Sequence, residues 1–141
     1  FFGAAKWRRK GRKARRWRKG PARALAGHAL DRAWGDCCSH GSKIAGMTDT
    51  YRHEFRKNLK SLRYLCDFFV PLWPDDGQTR FLRGVHDLQD ALGTLNDLTM
   101  ATADGALSVQ TEEAFDQRFR QAMTEGDRIW RKLRKSGPWW C

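Results

Sequence analysis

The stretch RHEFRKNLKSLRY, residues 52–64, interleaves basic and apolar side chains at intervals that are typical of an amphipathic helix. When residues 51–69 are placed at about 100° per residue, the apolar side chains gather on one side. These side chains are Tyr51, Phe55, Leu59, Leu62, Leu65, Cys66 and Phe69. Thr48 is suited to cap the N-terminus of this helix, which we expect to reach about Val70. This segment therefore predicts a long helix with one buried side.

The residues before this helix also have helical periodicity, and they lack the alternating apolar runs that are typical of strands. A basic segment over about residues 4–18 is expected to end at Gly20 and Pro21. A second helix is expected over about residues 22–38. Its apolar line consists of Leu25, Ala29, Ala33 and Cys37, with Leu30 and Trp34 beside it.

Two more helices are expected after the break at VPLWPDDG, residues 70–77. Asp75 and Asp76 suit the N-terminal end of a helix that reaches about Ala103. Thr111 is predicted to cap a last helix, which ends in RKLRKSG, residues 131–137. We therefore predict an all-α protein, an antiparallel bundle of about four to five helices. Residues 1–20 are expected to form a basic helix or tail, and residues 21–141 the bundle.

The charge of the chain is strongly unbalanced: 27 Lys and Arg stand against 16 Asp and Glu, and the net charge is +11. Residues 1–30 hold eleven basic side chains and no acid, so this segment accounts for the whole excess. A field of one sign suits a polyanion, such as nucleic acid, an anionic membrane face or a phosphate polymer. The sequence contains no secretion signal and no apolar run that predicts a membrane span. Four irregularly spaced cysteines favour reduced thiols in a cytosol. Because the chain begins at Phe1 without a methionine, we expect it to be a fragment.

Opposite the apolar side of the helix over residues 51–69 lies a row of basic and polar side chains, which we call the basic face. It consists of His53, Arg56, Lys57, Lys60, Arg63 and Tyr64, and it is expected to carry no acid. Arg52 lies nearer its edge and is a weaker candidate. Arginine offers phosphate a two-pronged donor and lysine a mobile point charge, so a phosphate polymer suits this row. The alternative is an ordinary solvated helix face.

The N-terminal run AKWRRKGRKARRWRK, residues 5–19, extends the basic surface if it is helical. Its candidate residues on one side are Arg8, Arg12, Arg15 and Lys19. The alternative is a disordered basic tail, and the sequence does not decide between the two.

The stretch FLRGVHDLQDALGTLNDL, residues 81–98, carries a second polar set opposite its buried stripe. His86, Asp90 and Asp97 lie on one side of the expected helix, with Gly93 between them, and such ligands could hold a divalent cation. The favoured interpretation is structural: these side chains orient arginines of a neighbouring helix, and Gly93 allows close helix approach. Cys37 and His40 lack the further ligands that zinc needs. We therefore assign no metal site.

The ordered pattern HxxRxxxKxLRY, followed by LQDALGTLND and a tryptophan-rich helix with a PWW end, resembles the CHAD domain family over about residues 22–140. The residues that carry the first motif are His53, Arg56, Lys60, Leu62, Arg63 and Tyr64. The resemblance implies an all-α fold of two similar bundles around a basic channel, of which this chain resembles the second. It also implies that the basic face binds inorganic polyphosphate. Family members are found fused to, or encoded beside, triphosphate-tunnel (CYTH) enzymes.

From the resemblance and the charge pattern together we expect a non-catalytic polyphosphate-binding module without a cofactor, in the cytoplasm and at polyphosphate granules. The first bundle is missing from this chain, so a second copy or the rest of a parent protein is the expected partner. An RNA- or DNA-binding protein is an alternative, because Trp7 and Trp17 lie among arginines and exposed aromatic rings stack on bases. A metal-dependent phosphoanhydride hydrolase is less favoured, because no metal-holding carboxylate is expected on the basic face.

Overall fold

The computed structural model describes the backbone of residues 12–73, 77–103 and 109–140, and the side chains of residues 20–73, 77–102 and 112–140. Four helices follow one another: α1 (Arg12–Ser39), α2 (Asp49–Phe69), α3 (Gly77–Ala103) and α4 (Val109–Ser136). A short 3-10 turn, Val70–Leu72, follows α2 directly. These ranges contain no strand. The prediction of an all-α fold with four to five helices is confirmed.

Each helix packs mainly on its neighbours in sequence: α1 on α2, α2 on α3, and α3 on α4. Helices that are joined by short connections and pack in this way form an antiparallel bundle. Trp130 of α4 closes the bundle, since its fully buried ring meets Trp34 of α1 edge-on, with ring centres 5.5 Å apart, and Phe55 of α2 at 4.9 Å. Its Nε1 donates a 2.9 Å hydrogen bond to the carbonyl of Gly41, so α4 also holds the loop between α1 and α2.

The helix α2 forms largely as its sequence predicts. Thr48 caps it, because its hydroxyl oxygen accepts a 3.3 Å hydrogen bond from the amide of Tyr51. The side chains that α2 buries are Phe55, Leu59, Leu62 and Cys66. Tyr51 was wrongly assigned to this buried side: it is 44% exposed, and its hydroxyl donates a 3.5 Å hydrogen bond to the Ser39 carbonyl at the end of α1. Pro71 lies in the 3-10 turn that follows and cannot continue the α-helical hydrogen bonds.

The helix α1 runs through Gly20 and Pro21, so the predicted helix end at these residues was wrong. A proline disfavours the helical conformation of the preceding residue partly by a clash with its Cβ, and Gly20 has no Cβ. The expected boundary between residues 20 and 21 therefore lies inside a continuous helix. The buried line of α1 is also shifted from the prediction, to Ala26, Leu30, Ala33 and Cys37, and Leu25 is 71% exposed.

The end of the chain packs on α1 and α3. The last turn of α4 carries Arg134 and Lys135, as predicted, and the helix ends at Gly137, which has a φ of 68°. Trp140 donates a 2.8 Å hydrogen bond from Nε1 to Oδ1 of Asp31. Its ring centre lies 5.5 Å from that of Phe81. The terminal tryptophans therefore pack against the bundle.

The start of α4 differs from the prediction. The helix begins at Val109, so Thr111 lies inside it and does not occupy the capping position. Glu112 still lies in the first turn, where its negative charge complements the helix dipole. Asp75 and Asp76 lie outside the described residues. Across the described ranges, no helix is both long and apolar enough to cross a bilayer.

Candidate functional site

The basic face lies along the outer side of α2. His53, Lys57, Lys60 and Tyr64 are exposed, Arg56 is half-buried at the edge that faces α3, and Arg63 is also half-buried. The opposite side of the helix holds the fully buried Phe55, Leu59, Leu62 and Cys66. The sequence pattern thus located these six side chains correctly on the helix. The contacts around these side chains determine which of them are available to bind an anion.

The expectation that the basic face carries no acid was wrong. Asp67 follows Arg63 by one helical turn on the same side, and its Oδ2 lies 3.9 Å from the Arg63 Nε. That distance is too long for a hydrogen bond. The Arg63 Nε is nevertheless buried and finds no acceptor within the described part of the chain. The guanidinium of Arg63 therefore has a neighbouring carboxylate but keeps a donor that a ligand oxygen could satisfy.

A second carboxylate borders the basic face at Glu54. Both of its oxygens accept hydrogen bonds from the Lys57 Nζ, at 3.1 and 3.2 Å. Both partners are largely exposed, so the pair contributes little to stability. By contrast, His53, Arg56 and Lys60 form no ion pair with any carboxylate in the ranges that the structure describes. These three side chains are the most available anion-binding groups of the basic face.

Tyr64 lies between two cations of the basic face. The Arg63 guanidinium is 5.0 Å from its ring centre and the Lys60 Nζ is 5.8 Å away. Such contacts attract a cation to the ring face and limit the conformations of both long side chains. Tyr64 itself is 53% exposed, and Phe68, one turn further, is 75% exposed. The C-terminal end of the basic face therefore combines positive charge with exposed aromatic rings.

The edge of the basic face that adjoins α3 forms a small crevice of about 40 Å³. From α2 it is lined by His53 and Arg56 together with Arg52 and the Asp49 carboxylate, and from α3 by Leu92, Asn96 and Thr99. Sequence reasoning did not single out Asn96 or Thr99 as candidates. Thr99 is half-buried, and its hydroxyl donates to the Leu95 carbonyl at 2.8 Å. Asn96 could have been found from its position in LQDALGTLND, because it lies next to the buried stripe of this helix.

Arg52, the weaker candidate, has a structural role. It pairs with Asp49 in the preceding turn and donates a 3.1 Å hydrogen bond to the Met47 carbonyl. Its guanidinium also lies over the Phe119 ring, 5.6 Å from the ring centre. These contacts join the start of α2 to α4 and leave little of the guanidinium for a ligand.

The loop before α2 is held by α4. Asp127 accepts hydrogen bonds at Oδ1 from the amides of Ile44, at 2.5 Å, and Ala45, at 3.4 Å. His40 is fixed from the other side, with its Nε2 2.9 Å from the Asn58 Nδ2 and its ring centre 4.6 Å from that of Tyr51. These contacts set the position of the N-terminal end of α2 and give His40 a structural role.

The buried cysteines are poor metal ligands and poor nucleophiles. Burial raises the pKa of Cys37 and of Cys66 to about 12, so both thiols are protonated near neutral pH. Burial also raises the pKa of Cys38, which lies between Cys37 and His40 in the chain. These thiols therefore fill the core as small apolar groups.

The polar set on α3 does not form a metal site. His86, Asp90 and Asp97 are exposed on the side of α3 that faces away from the core. Within the described ranges, no group of three or more His, Cys, Asp or Glu side chains could hold a metal ion.

The glycine that allows close helix approach is not Gly93. A Cβ added at Gly93 would meet nothing within 4 Å, so the role expected for this residue was wrong. Close approach occurs at Gly84, where an added Cβ would lie 2.8 Å from a Leu133 methyl, and at Gly126, where it would lie 3.3 Å from Ile44. Both glycines lie where α4 packs closely on its neighbours.

The candidates in the N-terminal basic run remain predictions. Arg8 lies outside the described residues. Arg12, Arg15 and Lys19 belong to α1, but their side chains also lie outside the described residues. Trp7 lies outside them altogether, and the side chain of Trp17 does so too.

A family model, described as the CHAD domain, matches residues 3–103 of the chain. The matched range includes the N-terminal basic run and ends at the last residue of α3. It begins and ends earlier than the range of about 22–140 over which the motifs resemble that family. No curated protein and no solved structure matches the chain.

Proposed function

Since the chain belongs to the CHAD domain family, we propose that it binds inorganic polyphosphate through the basic face of α2, as a non-catalytic module. The observation that carries the proposal is the row of exposed cations opposite a buried side on one helix. Within that row, His53, Arg56 and Lys60 form no ion pair with a described carboxylate. A linear anion lying along α2 would meet them one after another.

The proposed mechanism is electrostatic. Arg56 and Arg63 are seven residues apart, or about 10.5 Å along the helix axis, so one extended chain of phosphates can contact both. Each arginine can offer two parallel donors to phosphate oxygens, and Lys60 adds a flexible cation between them. Bound counterions are released as these contacts form, so affinity should fall steeply as salt rises, as it does for nucleic acids.

Two further features favour a phosphate ligand. The unpartnered Nε of Arg63 is a buried donor, and an anionic oxygen would remove the cost of leaving it without an acceptor. The crevice beside His53 and Arg56 brings the Asn96 amide from α3 to the same edge. A phosphate in contact with Arg56 would therefore meet donors from two helices.

The direct test is calorimetric titration of the 141-residue chain with long-chain polyphosphate at several salt concentrations. We expect Lys60→Gln to weaken binding by at least about tenfold, as loss of a hydrogen bond to a charged group predicts. The matched control is Lys132→Gln, which removes one charge from the exposed side of α4. Equal weakening by both variants would show that only net charge matters and would reject the basic face as the site.

A second candidate function is RNA binding, which the exposed rings of Tyr64 and Phe68 favour because aromatic rings beside cations stack on unpaired bases. Competition separates the two candidates. Single-stranded RNA should fail to displace polyphosphate at equal phosphate concentration. If RNA displaces it, and Phe68→Ala weakens RNA more than polyphosphate, RNA becomes the favoured ligand.

The same proposal extends to partners, catalysis and location. A second helical bundle, from another copy or from a longer parent protein, would close the basic face into a channel of the kind known in the family. Hydrolysis of polyphosphate is not proposed, and a phosphate-release assay with magnesium or manganese that showed turnover would contradict this point. Action in the cytoplasm, at polyphosphate granules, would be expected of such a module and is tested by imaging of a tagged chain.

A further inference from the structure

A cleft of about 630 Å³ lies on the side of α1 that faces the end of the chain. Three tryptophans line it: Trp73, which follows α2, and Trp139 and Trp140, which follow α4. The helix α1 contributes Arg23, His28 and Asp31 to the lining of the cleft. The basic face is on α2 and shares none of these residues. The cleft is therefore a separate feature that the proposed function does not use.

The polar groups of the cleft are only partly satisfied. Asp31 accepts a hydrogen bond at Oδ1 from the Trp140 Nε1, at 2.8 Å, which fixes the indole and leaves the carboxylate able to accept further bonds. The Trp139 Nε1 is buried and has no acceptor among the described residues. A buried donor without a partner is costly, so a ligand acceptor at this point would be stabilising.

The cleft also has open space at its α1 side. Gly27 lines it, and a Cβ added at Gly27 would meet nothing within 4 Å. A glycine in the interior of a long helix costs about 1 kcal/mol relative to alanine. The volume of the whole cleft, about 630 Å³, is within the range of known small-molecule sites, about 300–1,000 Å³.

The arginine that lines the cleft, Arg23, packs on a tryptophan ring. The Arg23 guanidinium lies over the Trp73 ring, 5.3 Å from its centre, so one planar group already stacks on the aromatic wall. The outer face of a guanidinium is itself a stacking surface for a nucleic-acid base, and its N–H groups bind phosphate. His28 lies on the same helix as a second nitrogen donor.

From these three kinds of group we infer that the tryptophan cleft binds a nucleoside phosphate, with AMP as the simplest example. The indole and guanidinium faces suit the base, the free carboxylate oxygen of Asp31 suits the ribose hydroxyls, and Arg23 with His28 suits the phosphate. Other ligands fit only part of the site. Polyphosphate would leave the aromatic wall without a partner, and a cationic ligand would be repelled by Arg23.

The inference is tested by calorimetric titration of the full chain with AMP, adenosine and ribose 5-phosphate. AMP should bind saturably and at least about tenfold more tightly than either partial ligand, because each lacks one set of contacts. A short adenine oligonucleotide with a terminal phosphate distinguishes a free nucleotide from an RNA end. Either source of the nucleotide supports the site, whereas equal binding of ribose 5-phosphate and AMP would overturn it.

Gly27 supplies a matched pair of variants. Gly27→Leu should fill the cleft and abolish AMP binding, whereas Gly27→Ala should leave it unchanged, and both replacements favour the helix. Arg23→Gln should weaken AMP binding by about tenfold and adenosine binding by less, because AMP loses the phosphate contact as well as the stacking surface. If Gly27→Leu folds, as judged by circular dichroism, and still binds AMP normally, the inference is wrong.

The outcome is independent of the proposed function. Lys60→Gln should weaken polyphosphate binding and leave AMP binding unchanged, and Gly27→Leu should do the reverse. Failure to detect AMP binding would reject the cleft while leaving the basic face untouched.

Discussion

Replacing Asp67 with asparagine should strengthen polyphosphate binding. When Arg63 turns to a phosphate, it gives up its attraction to the Asp67 carboxylate, whose Oδ2 lies 3.9 Å from its Nε. Asp67 is 49% exposed, so the pair interacts through a medium close to water. At that distance two unit charges in water attract by about 1 kcal/mol, and screening by salt reduces this value. We therefore expect Asp67→Asn to tighten binding by roughly threefold to fivefold at low salt, with a smaller gain at high salt.

The assay is calorimetric titration with polyphosphate at two salt concentrations, with two controls. Asp90→Asn removes the same charge from an exposed site on α3 and should change affinity by much less. In a double-mutant cycle, the gain from Asp67→Asn should disappear in an Arg63→Gln background, because the effect acts through that guanidinium. If Asp90→Asn tightens binding equally, or if the gain persists without Arg63, the proposed competition between Asp67 and the ligand is refuted.

Three predictions concern stability. Thr48→Ala should lower the free energy of unfolding by about 1 kcal/mol, measured by urea denaturation, because it removes the N-cap of α2. Gly93→Ala should raise the melting temperature, because its Cβ meets nothing and alanine favours helix by about 1 kcal/mol. Gly84→Ala should raise it less or lower it, because there the Cβ would lie 2.8 Å from a leucine methyl of α4. Burial raises the pKa of Cys37 and Cys66 from 9.0 to about 12, so the folded state holds these thiol protons more tightly than the unfolded state. Their contribution to stability should be complete below pH 9 and be lost as pH rises toward 12, and replacing both by alanine should flatten urea midpoints measured across that range.

The sequence predicted the structure correctly where the spacing of apolar residues matches the side of the helix that packs in the core. The spacing of Phe55, Leu59 and Leu62 shows which side of α2 is buried, and the polar residue before it shows where the helix starts. The same reasoning failed at Leu25, because α1 offers two adjacent apolar lines that differ by one residue. Only the position of α2 and of the chain end decides which of these lines faces inward.

Sequence rules also failed where the outcome depends on a neighbouring residue or on how two helices pack. Pro21 predicts a helix end because a proline ring clashes with the residue before it in a helix. Gly20 has no Cβ, which removes part of this clash, and α1 continues through both residues. The assignment of a basic face without acid failed because Asp67 lies beyond the motif that drew attention to the helix. Asn96 was missed because its relation to Arg56 depends on how α3 packs on α2.

The basic face has a cost that the buried side of α2 offsets. Arg56 and Lys60 are like charges one turn apart, and such a pair destabilises a helix by a few tenths of a kcal/mol. Burying a leucine or phenylalanine side chain stabilises by about 1.5–3 kcal/mol, and α2 buries three such residues completely. The helix can therefore keep its cations close together without a carboxylate for each, and its three carboxylates, Asp49, Glu54 and Asp67, relieve only part of the repulsion. A bound polyanion would relieve the rest, so polyphosphate should stabilise the folded chain by an amount that rises with the logarithm of its concentration relative to the dissociation constant.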